Sequence, residues 1–317
     1  KIDIKKQVEK VKNYFYNTEI ILDEIKLNVS FTYGACSADA NLLRNASSAL
    51  KYAKQSGRNN LYIFDKATST SKDRAAFIES NNILYRALAE DKITPFYQGI
   101  RNNLTKEIDK YEVLARIELD GKVISPYVFL EPAKLSGVLP EITKVMIDKS
   151  FKKMSENEYT FSINITEEDL TRDYLVPYLQ EKSLEYSINP SRVILEILEG
   201  VSSDGKKNHI KQLSTLKEKG YCLAIDDFGS EYSNFERVLD LEIDFLKIDA
   251  KYVKDIHTNS KSYEITRAIV FFAKNAKIPC IAEFVHDVNV QAIIEEFDIE
   301  YSQGYYFSEP CSELISD

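Results

Sequence analysis

Ten side chains able to carry charge, hold a metal ion or relay a proton lie in or at the ends of short apolar runs: Glu112, Asn164, Glu196, Glu199, Asp226, Asp227, Lys247, Asp249, Glu283 and Gln303. Taken singly, each has an ordinary structural explanation. The Asp226–Asp227 pair before Phe228–Gly229 could cap a helix, and Glu196 could be one paired core carboxylate. Taken together they resist that explanation, because buried acids are costly unless paired or bound to a cation. Glu112, Glu196, Asp226, Asp227, Asp249 and Glu283 converging on one rim would repel one another, and Lys247 is the only cation in the set. Carboxylates with an amide oxygen suit Mg²⁺ or Mn²⁺ and disfavour Zn²⁺. Two such ions about 4 Å apart suit in-line attack on a phosphodiester. Lys247 would orient the attacking water or neutralise charge developing at phosphorus. The chemistry favours metal-dependent phosphoester hydrolysis, although a fold does not by itself fix a function.

The elements that must position these residues are strands. From Ile93 onward, apolar runs such as ITPFYQGI, YEVLARIEL, TFSINIT, VILEILE, YCLAIDDFG, IDFLKIDA and IPCIAEFV alternate with amphipathic stretches such as EEDLTRDYLVPYLQEK. Successive site residues, from Glu112 to Gln303, are separated by 52, 32, 30, 21, 36 and 20 positions, mostly the length of a strand–loop–helix unit. Strands separated by helices argue for a parallel sheet. About eight such units argue for a closed TIM-type (β/α)8 barrel, in which active groups collect at the C-terminal strand ends. An open doubly wound sheet is the alternative, but no G-x-G-x-x-G supports it as a dinucleotide binder. Lys247 and Asp249, two apart on one strand, are expected to face the interior together.

The 317 residues divide into an expected α/β segment at 1–65, a polar linker at 66–74 and the barrel at 75–317. Helices are expected over 4–15 and 40–57, and strands over 25–31, ending near Gly34, and over 60–64. The formal net charge of −9 disfavours a polymeric nucleic acid as partner, since phosphate wrapping needs clustered Lys and Arg. No run approaches 18 apolar residues and KIDIKKQVEK has no apolar signal core, so a cytoplasmic protein is expected, with an anchor upstream of this segment left open. Cys36, Cys222, Cys280 and Cys311 follow no metal spacing and read as reduced packing residues. His209, His257 and His286 are expected at the surface.

At these motifs the chain resembles the EAL-domain family of cyclic di-GMP phosphodiesterases. YQGI (97–100), EVLAR (112–116), INIT (163–166), EILE (196–199), IDDFGSEYSN (225–234), FLKID (245–249), AEFV (282–285) and QGYYFSEP (303–310) match eight family motifs in order. The resemblance implies a barrel that linearises cyclic di-GMP to pGpG with two Mg²⁺ or Mn²⁺ ions, Ca²⁺ being inhibitory, and a homodimer formed through the barrel. It implies Glu112, Asn164, Glu196, Asp226 and Asp227 as metal ligands. Lys247 and Glu283 would handle the water, supported by Gln303, while Glu199 would hold the loop after the Asp pair. Gln98, Leu114, Arg116, Asp249 and Phe307 would contact the nucleotide, with Phe307 and Tyr97 as candidates to stack on guanine. A receptor that binds cyclic di-GMP without cleaving it is the alternative; such relatives have usually lost ligands, and this chain keeps them.

Four departures stand out: Glu231 and Phe284 at family glycine positions, Leu198 at a common Thr, and Lys134 at a frequent acid. His286 also falls within the AEFV motif region. Glu231 and Phe284 bear on loop flexibility and turnover rate, since a larger residue loses glycine's ready access to positive φ. The first 65 residues resemble the C-terminal part of a GGDEF (diguanylate cyclase) domain, through LNVSFTYGAC and ALKYAKQSGRNNLYIFD. The ten glycines include no Gly-Gly pair, so the cyclase signature is absent.

Overall fold

The computed structural model describes residues 71–200, 207–229 and 235–315, with shorter stretches before residue 65. The chain divides into two compact units, Lys1–Asn82 and Ile83–Asp317. In the first, Ile20–Leu22 pairs antiparallel with Ile25–Leu27, and Tyr33–Cys36 pairs parallel with Leu61–Phe64. The stretch expected as one strand thus holds Ile25–Leu27, with Tyr33–Cys36 following it, and residues 28–31 lie outside the described residues. Most of the helices expected over 4–15 and 40–57, and residues 66–70 of the linker, also lie outside them. A helix covers Ser71–Ala89.

In the second unit eight strands close on themselves: β1 Ile93–Asn102, β2 Ile108–Leu119, β3 Thr160–Ile165, β4 Val193–Leu198, β5 Cys222–Phe228, β6 Phe245–Ile248, β7 Cys280–Ala282 and β8 Tyr301–Gln303. Strands β2 to β8 pair parallel in sequence order, and β1 closes the ring between β8 and β2. The closed barrel read from the motif spacing is therefore present. Its sheet is not wholly parallel, because β1 runs antiparallel to both neighbours. The reason is connection length. Only residues 103–107 join β1 to β2, enough for a hairpin, whereas a parallel crossover needs a dozen or more. A further short strand, Lys122–Ile124, folds back on the end of β2 through Asp120 and Gly121, both at positive φ. Asp-Gly is a preferred pair for such a tight hairpin turn.

Strands covered on both faces read as continuous apolar runs, and Val193–Ile197 is buried throughout. Helices supply the outer layer. Ser260–Ala276 shows how the sequence writes one: Asn259 Oδ1 accepts the Lys261 and Ser262 amides at the start. Ser262, Thr266, Ile269, Val270 and Ala273 then form the buried stripe at helical spacing, and Lys277 in the left-handed region ends it. Glu167–Thr171 opens with a capping box between Thr166 and Asp169. His209, expected at the surface, is buried, with Nε2 3.1 Å from Thr171 Oγ1. It lies in the helix Lys207–Glu218, whose inner face it shares with Leu213 and Leu216. Among the described residues no helix is long and apolar enough to cross a membrane.

Candidate functional site

The acids gather because parallel strands in register present them at neighbouring positions. Asn164 on β3 sits beside Glu196 on β4, and Gln98 on antiparallel β1 sits beside Glu112 on β2. Asp226 and Asp227 pose a geometric problem, since consecutive strand residues point to opposite faces. A bulge solves it. The β5–β6 register slips between Ile225 and Phe228, and Asp227 takes φ +54. A bulge kinks the strand and re-aims a side chain, and aspartate tolerates the left-handed region better than most residues. Asp226, Asp227 and Glu283 consequently offer carboxylate oxygens within 4.8 Å of one another.

Lys247 on β6 is fully buried at the centre of the cluster. Its Nζ lies 2.9 Å from Glu196 Oε2, 2.9 Å from Glu283 Oε1, 3.0 Å from Asp226 Oδ1 and 3.3 Å from Glu112 Oε2. An ammonium has three protons, so these four partners cannot all be hydrogen-bonded at once. Glu112 is further held by Gln303 Nε2, which donates at 2.6 Å, and Asn164 Nδ2, which donates at 3.0 Å. Gln303 Nε2 also lies 3.1 Å from Gln98 Oε1, and Gln98 Nε2 donates to the Ser308 carbonyl at 2.9 Å.

The electrostatics follow from burial against pairing. Burial alone would lower the Lys247 pKa, but Asp226, Glu112, Glu196 and Glu283 together drive it well above the lysine range. Burial pushes Glu112 up, yet Lys247 and the Gln303 and Asn164 amides outweigh it and hold this carboxyl below its ordinary range. Glu196 goes the other way, to about 8, through burial and the nearby Glu112 charge. Glu283 is raised well above the carboxylate range, by burial first and then by Asp226 and Glu112, against the pull of Lys247. Asp227 rises to about 6 through burial, Asp226 and Asp249. One lysine therefore does not neutralise this set, and a divalent cation would supply the positive charge it lacks.

That donor set fits a hard cation. Every candidate ligand is an oxygen, and Glu196 Oε1 is buried without a hydrogen-bond partner, a vacancy that an ion would satisfy. Asn164 is exposed toward the mouth. Glu199 Oε2 accepts the Gly229 amide at 3.1 Å, while the Tyr252 hydroxyl donates to the Gly229 carbonyl at 2.6 Å. The segment that follows the Asp pair is thus gripped at Gly229 from two sides. Glu231 lies outside the described residues.

The remaining expected residues are spread more widely. Glu112, Leu114 and Arg116 share one face of β2, so Arg116 stands above the cluster. Its guanidinium donates to the Ala115 carbonyl at 2.8 Å and lies 5.7 Å from the Phe96 ring centre. Asp249 lies beyond the end of β6 and caps the short helix Ala250–Val253, its Oδ1 accepting the Lys251 amide at 2.7 Å. Tyr97 is only 2% exposed, so it has no face to offer a base. Phe307 packs under the Arg101 guanidinium, 4.8 Å from its ring centre, and against the Tyr306 edge. Ser308 and Tyr252 are site supports that sequence reasoning missed. Neither falls at a strand end, which was the signal that found the others. Phe284, one residue past Glu283, sits at φ +57, a conformation that costs an ordinary side chain roughly 1–2 kcal/mol.

Comparison with known proteins agrees with this geometry. The chain is 28% identical over 298 residues to the cyclic di-GMP phosphodiesterase PdeB of Shewanella oneidensis, covering 90% of this chain and 34% of that protein. It is 31% identical over 235 residues to the probable cyclic di-GMP phosphodiesterase PdeA of Escherichia coli, covering 72% and 32%. The chain thus spans about a third of the length of these curated relatives. The solved PaMucR phosphodiesterase in its c-di-GMP complex superposes with a TM-score of 0.70 at 23% identity, over 74% of this chain and 97% of that one, a likeness of fold. The family described as the EAL domain matches residues 81–310, a span that holds the whole carboxylate cluster, and the chain belongs to that family.

Proposed function

We propose that this barrel is a metal-dependent phosphodiesterase that hydrolyses cyclic di-GMP to linear pGpG. The observation that carries the reading is the buried Lys247 ammonium shared by Glu112, Glu196, Asp226 and Glu283, beside an Asp227 re-aimed by a bulge. A receptor needs to recognise a nucleotide; it has no need of so many acids whose charges only cations can balance. Relatives named as cyclic di-GMP phosphodiesterases support the substrate.

In this reading Glu112, Asn164, Glu196, Asp226 and Asp227 hold Mg²⁺ or Mn²⁺, two ions in all. When bound, such ions supply Lewis acidity that makes water easier to deprotonate and offsets charge developing on the phosphate. Arg116 clamps a non-bridging phosphate oxygen through its planar donor fork. Lys247 orients the attacking water and offsets negative charge at phosphorus. Glu283, with an affinity for protons well above an ordinary carboxylate, takes the proton from that water. The water oxygen bonds to phosphorus and the bond to the 3′ oxygen breaks. That oxygen takes up a proton, balancing the one Glu283 removed from the water, and leaves as the 3′ hydroxyl, so the phosphate stays on the 5′ side and the product is pGpG. Gln303 holds Glu112 in place, and Glu199 holds Gly229, the start of the loop beyond the Asp pair. Gln98, Leu114, Asp249 and Phe307 complete the nucleotide-facing set.

Three further elements belong to the same proposal. A homodimer through the barrel fits the exposed Phe271 and Leu239, on the helices that follow β6 and β5. A GGDEF-like origin of the first unit is supported by its parallel Tyr33–Cys36 and Leu61–Phe64 pair. A cytoplasmic site of action fits a nucleotide substrate. Purified protein given cyclic di-GMP and Mn²⁺ should yield pGpG, and Ca²⁺ in place of Mn²⁺ should suppress it. Tight binding with no product under Mn²⁺ would replace the enzyme by a receptor.

A further inference from the structure

Phe284 combines a left-handed backbone at φ +57 with 54% exposure of the residue. Its neighbours hold it there. The Glu283 amide donates to the Ile248 carbonyl at 3.3 Å, the Val285 amide to the Gln303 carbonyl at 2.9 Å, and the Tyr306 amide to the Val285 carbonyl at 3.1 Å. Val285 itself is fully buried. Rotation out of the left-handed region would break this clamp between the ends of β6 and β8. A large apolar side chain normally returns burial for such strain, and this one does not. It stands at the rim beside Glu283, whose carboxylate touches Lys247. The His286 ring lies 5.6 Å away, tilted by 57°, with Nδ1 3.1 Å from the Phe284 carbonyl.

Strain and exposure without burial, next to reactive groups, call for a ligand-facing role. Resting on the phosphodiesterase reading above, we propose that Phe284 is a substrate-binding residue that stacks on one purine base of the cyclic dinucleotide. Tyr97 is buried and Phe307 is half-buried with Arg101 against its ring, so of these aromatics Phe284 offers the most exposed ring beside Glu283. A phenyl ring has no donor or acceptor. It reads the flat π-face of a base, not its hydrogen-bonding edge, and contributes equally to bound substrate and transition state.

The test compares Phe284→Ala, Phe284→Gly and Phe284→Trp in the Mn²⁺-dependent cleavage of cyclic di-GMP. Alanine removes the ring and keeps the strained Cβ; glycine removes both. Both should raise KM by roughly 5- to 150-fold, the range for losing one base–aromatic stack. Their kcat should stay within about twofold of wild type, and tryptophan should restore KM. If wild type binds without cleaving, the same comparison is read on Kd. Unchanged KM in both small variants, or a fall in kcat with KM intact, overturns the assignment while leaving the phosphodiesterase reading in place. Wild type that neither binds nor cleaves cyclic di-GMP overturns both.

Discussion

Replacing Lys247 with methionine removes the cation that four carboxylates share and keeps most of its apolar volume. Breaking a buried ion pair by deleting one partner costs about 3–5 kcal/mol, because the remaining charge stays buried and unpaired. Here the stranded groups are acids that can take up protons, so the cost depends on pH. In the wild type Glu112 is held below its ordinary range, so its contribution is present above its unfolded pKa and lost as pH falls through the folded value. Without Lys247, only the Gln303 and Asn164 amides oppose burial at Glu112, and its folded pKa should move above the unfolded one. Its contribution then runs the other way, present at low pH and lost as pH rises. Each unit of upward shift is worth about 1.4 kcal/mol once the pH lies above both values. The penalty should therefore grow from about pH 5, where the stranded acids are protonated, to the full 3–5 kcal/mol above about pH 8. Urea denaturation in EDTA across that range, reading the midpoint at constant m, measures it. A penalty independent of pH, or one below about 1 kcal/mol at high pH, would falsify the account of Lys247 as the charge that balances the cluster.

Metal binding should be coupled to proton release. Glu196, at about 8, holds a proton near neutral pH that a bound Mn²⁺ would displace, so affinity should rise with pH and level off above about pH 9. Calorimetric titration in two buffers of different ionisation enthalpy detects that proton; identical heats would contradict the assigned protonation. Gly304 offers a steric prediction. A Cβ there would sit 2.0 Å from the Val285 carbonyl oxygen and 2.4 Å from its amide nitrogen, both backbone atoms that cannot swing aside. Gly304→Ala should lower Tm by several degrees or prevent folding, and a variant that melts like wild type would show that β8 and the Phe284 segment can separate.

How far the sequence could be read depended on whether a feature leaves a mark in composition or only in geometry. Most of the strands, β2 to β7, were legible because each is an apolar run of strand length followed by a helix-length gap. The site was legible because Glu196 and Lys247 are charges placed inside such runs, where a charge needs a reason. The direction of β1 was less so: ITPFYQGI has the same alternation read either way, and only the five residues before β2 betray a hairpin. The bulge at Asp227 leaves no periodic trace, although two adjacent acids at one strand end already require some device to aim both inward. Asp249 shows the converse. Its spacing from Lys247 placed it on the interior face, but β6 ends at Ile248, and the carboxylate is taken up as a helix cap.

The two irregularities of this barrel are connected through its chemistry. A regular parallel strand brings one side chain per pleat to the inner rim, so a single level offers few oxygens to a cation. The bulge on β5 gives one strand two consecutive carboxylates at the mouth, at the cost of a positive φ at Asp227. The antiparallel β1 does not end at that mouth but starts from it, Ile93 pairing with Ile117. Instead its register sets Gln98 directly beside Glu112, where it meets the Gln303 amide that donates to the same carboxylate. An amide chain from Ser308 through Gln98 and Gln303 thus fixes the orientation of Glu112 through Oε2, the oxygen that also faces Lys247. A neutral support is required there. A second cation would satisfy Glu112 fully and leave it a poor ligand, whereas amides orient the carboxylate and leave its charge available to an incoming ion.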